Sequence, residues 1–120
     1  MTTEQINRRF AELSEISWHE LDDFKFGAYF CSCRHQSPTR EMLASHIKKL
    51  NPDYCADPRL VLEVMRGKLD VVYYSFMRHL ANHAPNTEPS NVLIWITKNY
   101  LLDKTGQLAL LAIRWMEEKK

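Results

Sequence analysis

The stretch Phe24-Lys25-Phe26-Gly27-Ala28-Tyr29-Phe30-Cys31-Ser32-Cys33-Arg34, followed two residues later by Ser37-Pro38-Thr39-Arg40-Glu41, decides the fold. Its residues alternate. On an extended chain Phe24, Phe26, Ala28 and Phe30 share one side, and Lys25, Gly27, Tyr29, Cys31 and Cys33 share the other. That pattern predicts a strand or a hairpin arm. Ser37-Pro38 then predicts a helix opening, with Pro at its first position and Glu41 in its first turn. Met42, Leu43, His46, Ile47 and Leu50 fall on one stripe of that helix, and Asn51-Pro52-Asp53 ends it. A β element that gives way at once to a helix is the seed of an α+β fold.

The flanks are helical. Thr2 or Thr3 can cap a first helix bearing Ile6, Phe10 and Leu13, which should end near Glu15. Asp57-Pro58 opens a short helix with Leu60, Val61, Val64 and Met65, stopped by Gly67. From Leu69 to His83 two signals compete. Val71-Val72-Tyr73-Tyr74 has strand propensity, yet Leu69, Val72, Tyr73, Phe76, Met77 and Leu80 form a helical stripe. Period outranks propensity, so a helix is predicted. Val92 to Ile96 is a short apolar strand candidate. A last helix runs from Asp103 or Thr105 to Glu118, with Leu108, Leu111, Ala112 and Trp115 inward. The expectation is a helix-rich α+β fold in which a small finger-like β element packs with four or five helices. It is a single domain over 1–120, with a finger-like segment at 18–50 and a helical remainder at 57–120.

Composition narrows the function. The 120 residues are 45% apolar and 26% charged, an ordinary globular balance, and the net charge is +1. That near-neutral charge argues against a strong, non-specific polyanion binder. No apolar run approaches a membrane span of ~20 residues, and Met1 to Phe10 lacks the apolar core of a secretory signal. The three cysteines, Cys31, Cys33 and Cys55, do not describe a disulfide framework, and a bridge across one intervening residue would be strained. A cytoplasmic location with free or metal-bound thiols is the expectation.

The chemistry lies in the order His19, Cys31, Cys33, His35, His46, Cys55. Zinc takes four N or S ligands in a tetrahedron. On an extended arm the thiols of Cys31 and Cys33 point the same way and reach one ion. His46 lies in the following helix, and His19 precedes the strand. The expected site is one closed, structural zinc held by His19, Cys31, Cys33 and His46, with His35 and Cys55 as rival ligands. Glu20 and Asp22 or Asp23 are near enough in sequence to orient the His19 ring. His79 and His83 are four apart on a predicted helix, but Leu80 stands where a zincin motif needs Glu. They read as a solvated pair.

Trp18-His19-Glu20, Cys31-Ser32-Cys33, His46-Ile47 and Asn51-Pro52-Asp53-Tyr54 occur in an order that resembles a group of small proteins encoded by tailed phages and prophages. The likeness continues through Val61-Leu62-Glu63-Val64-Met65, through Leu102-Asp103-Lys104-Thr105-Gly106 and through Ala112-Ile113-Arg114-Trp115-Met116. The chain departs from the group at Arg34, where Gly usually follows the second cysteine. Gly permits a left-handed knuckle that Arg tolerates poorly. The resemblance implies a phage origin and a finger-like N-terminal half, and it implies no activity.

The function expected from all this is non-enzymatic. A small zinc-stabilised phage protein would bind a host or phage protein, with inhibition of a host defence complex as one use. The alternative is a nucleic-acid-binding regulator in which Arg40, Lys48 and Lys49 of the finger helix contact phosphate. The +1 charge disfavours it.

Overall fold

Thr2 opens the first helix, α1 (Thr3–Leu13), by a reciprocal cap. Its hydroxyl accepts from the Gln5 N–H at 3.2 Å, and its own N–H donates to Gln5 Oε1 at 2.8 Å. The structure, a computed structural model, describes residues 1–25, 27–33, 35–85 and 88–119, the side chains of 22–25 excepted. Six α-helices and one three-stranded antiparallel sheet stand among them, so the protein is α+β and helix-rich.

The Phe24–Cys33 region folds as a hairpin rather than one arm. β1 (Leu21–Lys25) pairs with β2 (Ala28–Cys31), with Leu21 opposite Cys31 and a register irregularity before Phe24. Gly27 makes the turn at φ +78°, a left-handed conformation that favours glycine. Phe26 lies outside the described residues. Gln36–Ser37 forms β3 against β2, so the next helix does not open at Ser37-Pro38 as its sequence predicts. Thr39 is the cap instead, accepting from the Met42 N–H, and α2 spans Arg40–Leu50.

The remaining helices are α3 (Arg59–Arg66), α4 (Asp70–Ala81), α5 (Pro89–Ile96) and α6 (Gln107–Glu118). α4 settles the competition at Leu69–His83 in favour of period. α5 overturns the strand expected at Val92–Ile96 and raises the helix count from four or five to six. Pro89 at its first turn is a helix-start signal that the apolar run obscures. A π-turn over Thr97–Leu101 continues it. Gly67 ends α3, as its sequence predicts, in a right-handed conformation with φ −72°. No helix among the described residues is long and apolar enough to cross a membrane.

The chain divides into two compact units, Glu15–Pro52 and a discontinuous one made of Met1–Ser14 and Asp53–Lys120. The discontinuous unit owns most of the core. α6 contributes Leu108, Ala109, Leu111, Ala112, Ile113, Trp115 and Met116, packed with Phe10 of α1, Val61 and Met65 of α3 and Phe76 and Leu80 of α4. Phe10 meets Tyr54 edge-on at 4.6 Å, and Phe76 meets Trp115 at 5.3 Å. Buried Asn7 ties the two stretches of chain together. It donates to Asp53 Oδ1 and accepts from the Cys55 N–H, both at 3.0 Å. Glu15–Pro52 buries far less: among its described residues only Cys31, Ser37 and Leu43 are buried. Phe30 and Ile47, expected in its core, are half-buried, and the side chains of Phe24 and Phe26 lie outside the described residues.

Two predictions follow from the approach to α6. Gly106 has φ +98°, and a Cβ there would fall 2.6 Å from Cys55 Sγ. Gly106→Ala is therefore expected to cost about 2 kcal/mol or more in thermal unfolding. Adding Cys55→Ala should recover the steric part and leave the backbone strain. Asp103 accepts from Thr105 N, Thr105 Oγ1 and Gln107 N. Burial pushes its carboxyl up, but these bonds outweigh burial and hold it below the usual carboxylate value. Its stabilisation is present above the unfolded-state pKa and is lost as pH falls through the lower folded-state pKa. Asp103→Ala should lower stability by about 1 kcal/mol at neutral pH. The gap to wild type should close in acid, as read by denaturant unfolding across pH.

Candidate metal centre

Three chain segments deliver three ligands to one place. Cys31 is the last residue of β2, Cys33 sits in the turn after it, and His19 lies in the extended stretch leading to β1. Their donor atoms all lie within 4.8 Å of one another, and this group could hold a metal ion. Cys31 Sγ is 3.5 Å from His19 Nδ1. A tetrahedral zinc with ordinary Zn–S and Zn–N bonds sets its sulfur and nitrogen ligands about 3.6 Å apart. One edge of that tetrahedron already has the right length.

The backbone fixes the cluster from both sides. Asn51 clamps the His19 peptide, accepting from its N–H at 2.8 Å and donating to its carbonyl at 2.6 Å. Ser32, between the two thiols, donates its hydroxyl to the Trp18 carbonyl and accepts from the Glu20 N–H, both at 3.2 Å. The Ser32 N–H donates to the Glu20 carbonyl, and the Cys31 N–H to the His35 carbonyl. The residues on either side of His19 are thus sewn to the turn that carries the thiols. Ser32 reads in the sequence as a spacer and Asn51 as a helix stop. Only the Cys-Ser-Cys proximity hinted at the first, and nothing local could hint at a bond spanning 32 positions.

The two thiols differ. β2 ends at Cys31, so the expected extended arm with both thiols on one side does not form. Cys31 is 1% exposed and Cys33 is exposed. Burial pushes the Cys31 thiol up, but the Cys33 N–H and thiol, the His19 ring and the Ser32 hydroxyl bring it down to about 7. A thiol beside an imidazole is also the pairing of a cysteine nucleophile. Here that thiol is buried.

His46 stands outside the three-residue group. Its half-buried ring stacks on that of His35, centroids 3.7 Å apart and planes at 20°. Burial, followed by the charges of His35, His19 and Lys49, holds its pKa below the usual histidine value. Cys55 belongs to the other compact unit, where its thiol lies near the Thr3 carbonyl and is pushed up to about 11 by burial and by Asp53 and Asp103. Glu20 is exposed, and the side chains of Asp22 and Asp23 lie outside the described residues. Arg40, Lys48 and Lys49 are exposed on α2, and the two lysines sit in its last turn, where the helix dipole favours cations. Arg34 lies outside the described residues. His79 and His83 pair with each other, and the His83 ring meets the His79 carbonyl at 3.0 Å.

Comparison of the chain with protein-family models, with curated proteins and with solved structures finds no match.

Asn51→Ala removes both bonds that fix the His19 peptide. The expected result is a metal affinity weaker by roughly 10–100-fold, measured by cobalt titration followed in the thiolate charge-transfer band. An unchanged affinity would show that His19 is not a ligand held in this way.

Proposed function

We propose that the protein is a non-enzymatic binding module whose Glu15–Pro52 unit closes around one structural zinc ion held by His19, Cys31, Cys33 and His46. It acts by covering a surface on a partner protein. The observation that carries the metal reading is the gathering of His19, Cys31 and Cys33 within 4.8 Å. Two thiolates with imidazole nitrogens suit zinc better than the hard, oxygen-seeking cations. When bound, the ion cross-links the hairpin to the residues before it. His46, on α2, would supply the fourth ligand.

The unit needs such a link. It has fewer than about 40 residues, a size at which a chain rarely holds itself by apolar burial alone. Its fully buried apolar side chains, Cys31 and Leu43 among the described residues, contribute only a few kcal/mol between them at roughly 1.5–3 kcal/mol for a large side chain. Zinc coupled to folding supplies on the order of 10 kcal/mol.

The binding role is supported by the mild net charge and the one-domain length. The resemblance to small phage proteins makes a host or phage protein the partner of choice, and a host defence complex one such target. Salt-sensitive gel shifts abolished by Lys48→Ala and Lys49→Ala would move the reading to nucleic acid.

Purified protein should contain about one zinc per chain by elemental analysis. Cys33→Ala should lose the metal and melt the Glu15–Pro52 unit before the helical one, read by hydrogen exchange. His46→Ala should cost more affinity than His35→Ala. A metal-free chain that is fully ordered over 15–52 would overturn the reading.

A further inference from the structure

α5 is the most apolar of the six helices, and not one of its residues is buried. Leu93, Ile94 and, just beyond the π-turn, Leu102 keep 64%, 52% and 68% of their surface exposed. Val92, Trp95, Ile96, Tyr100 and Leu101 are only half-buried. An amphipathic surface helix turns a polar side to water. On this one the exposed polar residues, Ser90 and Asn91, are confined to the first turn, and hydrogen bonds within the chain engage the polar groups around it. The Thr97 hydroxyl donates to the Leu93 carbonyl at 2.8 Å, Asn99 donates to the Trp95 carbonyl at 2.9 Å, and Asn91 donates to Glu88 at 3.3 Å. Between Pro89 and Leu102 the sequence holds a single charge, Lys98.

We propose that this face, from Glu88 to Leu102, is the two-fold interface of a homodimer in which α5 of one copy lies antiparallel on α5 of another. The charges favour a second copy over an unrelated partner. The stretch is neutral and apolar through its middle, with an acid at its start and a base near its end. Glu88 caps the start of α5, and Lys98 lies ten positions on, in the π-turn that follows the helix. An antiparallel two-fold sets the Leu93–Ile94 centre on itself and brings Lys98 of each copy to Glu88 of the other. A self-complementary patch of this kind is what an isologous contact requires. A standard interface buries about 800 Å² on each partner, more than one short helix offers. α4 packs against α5, and it keeps Tyr74 69% exposed. The apolar centre also matches homodimer interfaces, which are richer in apolar area than those of transient partners.

The test is sedimentation velocity of the full chain over a range of concentrations, with zinc content and circular dichroism measured on every sample. A reversible dimer is expected. Leu93→Glu and Leu102→Glu, both at exposed positions, should leave fold and metal content unchanged and weaken the dimer at least tenfold. Glu88→Lys should weaken it as well, and adding Lys98→Glu should restore it. A wild-type chain that stays monomeric at every concentration overturns the proposal, and so does a dimer indifferent to both leucine substitutions. A monomer that binds lipid vesicles through Leu93 and Leu102 overturns it too. Because metal content is read separately, failure here leaves the zinc reading standing, and the reverse.

Discussion

Between Glu15 and Pro52 the described residues bury almost nothing apolar, and that shortage governs the rest of the design. Leu43 of α2, Cys31 at the end of β2 and Ser37 of β3 are buried; the other described side chains of the unit keep some or much of their surface in water. Order there comes from polar bonds of long reach: Asn51 to the His19 peptide, Ser32 to Trp18 and Glu20, and His35 to the Cys31 N–H. A hydrogen bond contributes only about 1 kcal/mol net, while each ordered residue costs about 1–2 kcal/mol of backbone entropy. Such a unit is marginal until something stronger joins its segments. The sulfur and imidazole donors converge where those polar bonds converge, which is the physical reason to read them as ligands.

The helical unit solves the same problem by the opposite means. α6 buries seven side chains, and aromatic edges from Phe10, Tyr54 and Phe76 fill the space around it. Its one delicate point is polar. The chain leaves this unit after Ser14 and returns at Asp53, and Asn7 is placed to receive it through Asp53 and Cys55. Cys55 in turn sits against Gly106, so the same residue governs the return of the chain and the start of α6. Its thiol is a packing group for this reason.

How much of this was legible follows from the range over which each signal acts. Helical stripes act over one or two turns, and α1, α4 and α6 were readable from them. The stripe at Phe76 and Leu80 even overrode a Val-Val-Tyr-Tyr run that favours strand. Turns act locally too, but alternation places Gly27 on the face of a strand, and its left-handed φ breaks that strand in two. The position of Thr39 was missed because Gln36–Ser37 is claimed by a partner strand, a tertiary demand that no capping rule contains. His19, Cys31 and Cys33 were found by chemistry and spacing. The stacking of His46 on His35 and the clamp from Asn51 were out of reach, since both depend on where a helix and a loop meet in space.

The failure at Val92–Ile96 has a different character and points outward. A helix shows itself in sequence by the contrast between a wet side and a dry side. Where that contrast is missing, five apolar residues in a row are as consistent with a buried strand as with a helix. α5 lacks it because both its sides are apolar, and a helix apolar all round is ordinarily enclosed on all sides. Here one side meets α4 and the π-turn, and Leu93 and Ile94 face water. A contiguous exposed patch of such residues is the usual mark of a contact surface. The ambiguity in the sequence and the bare face in the structure are therefore one fact: Val92–Ile96 carries no polar residue to set a wet side against a dry one.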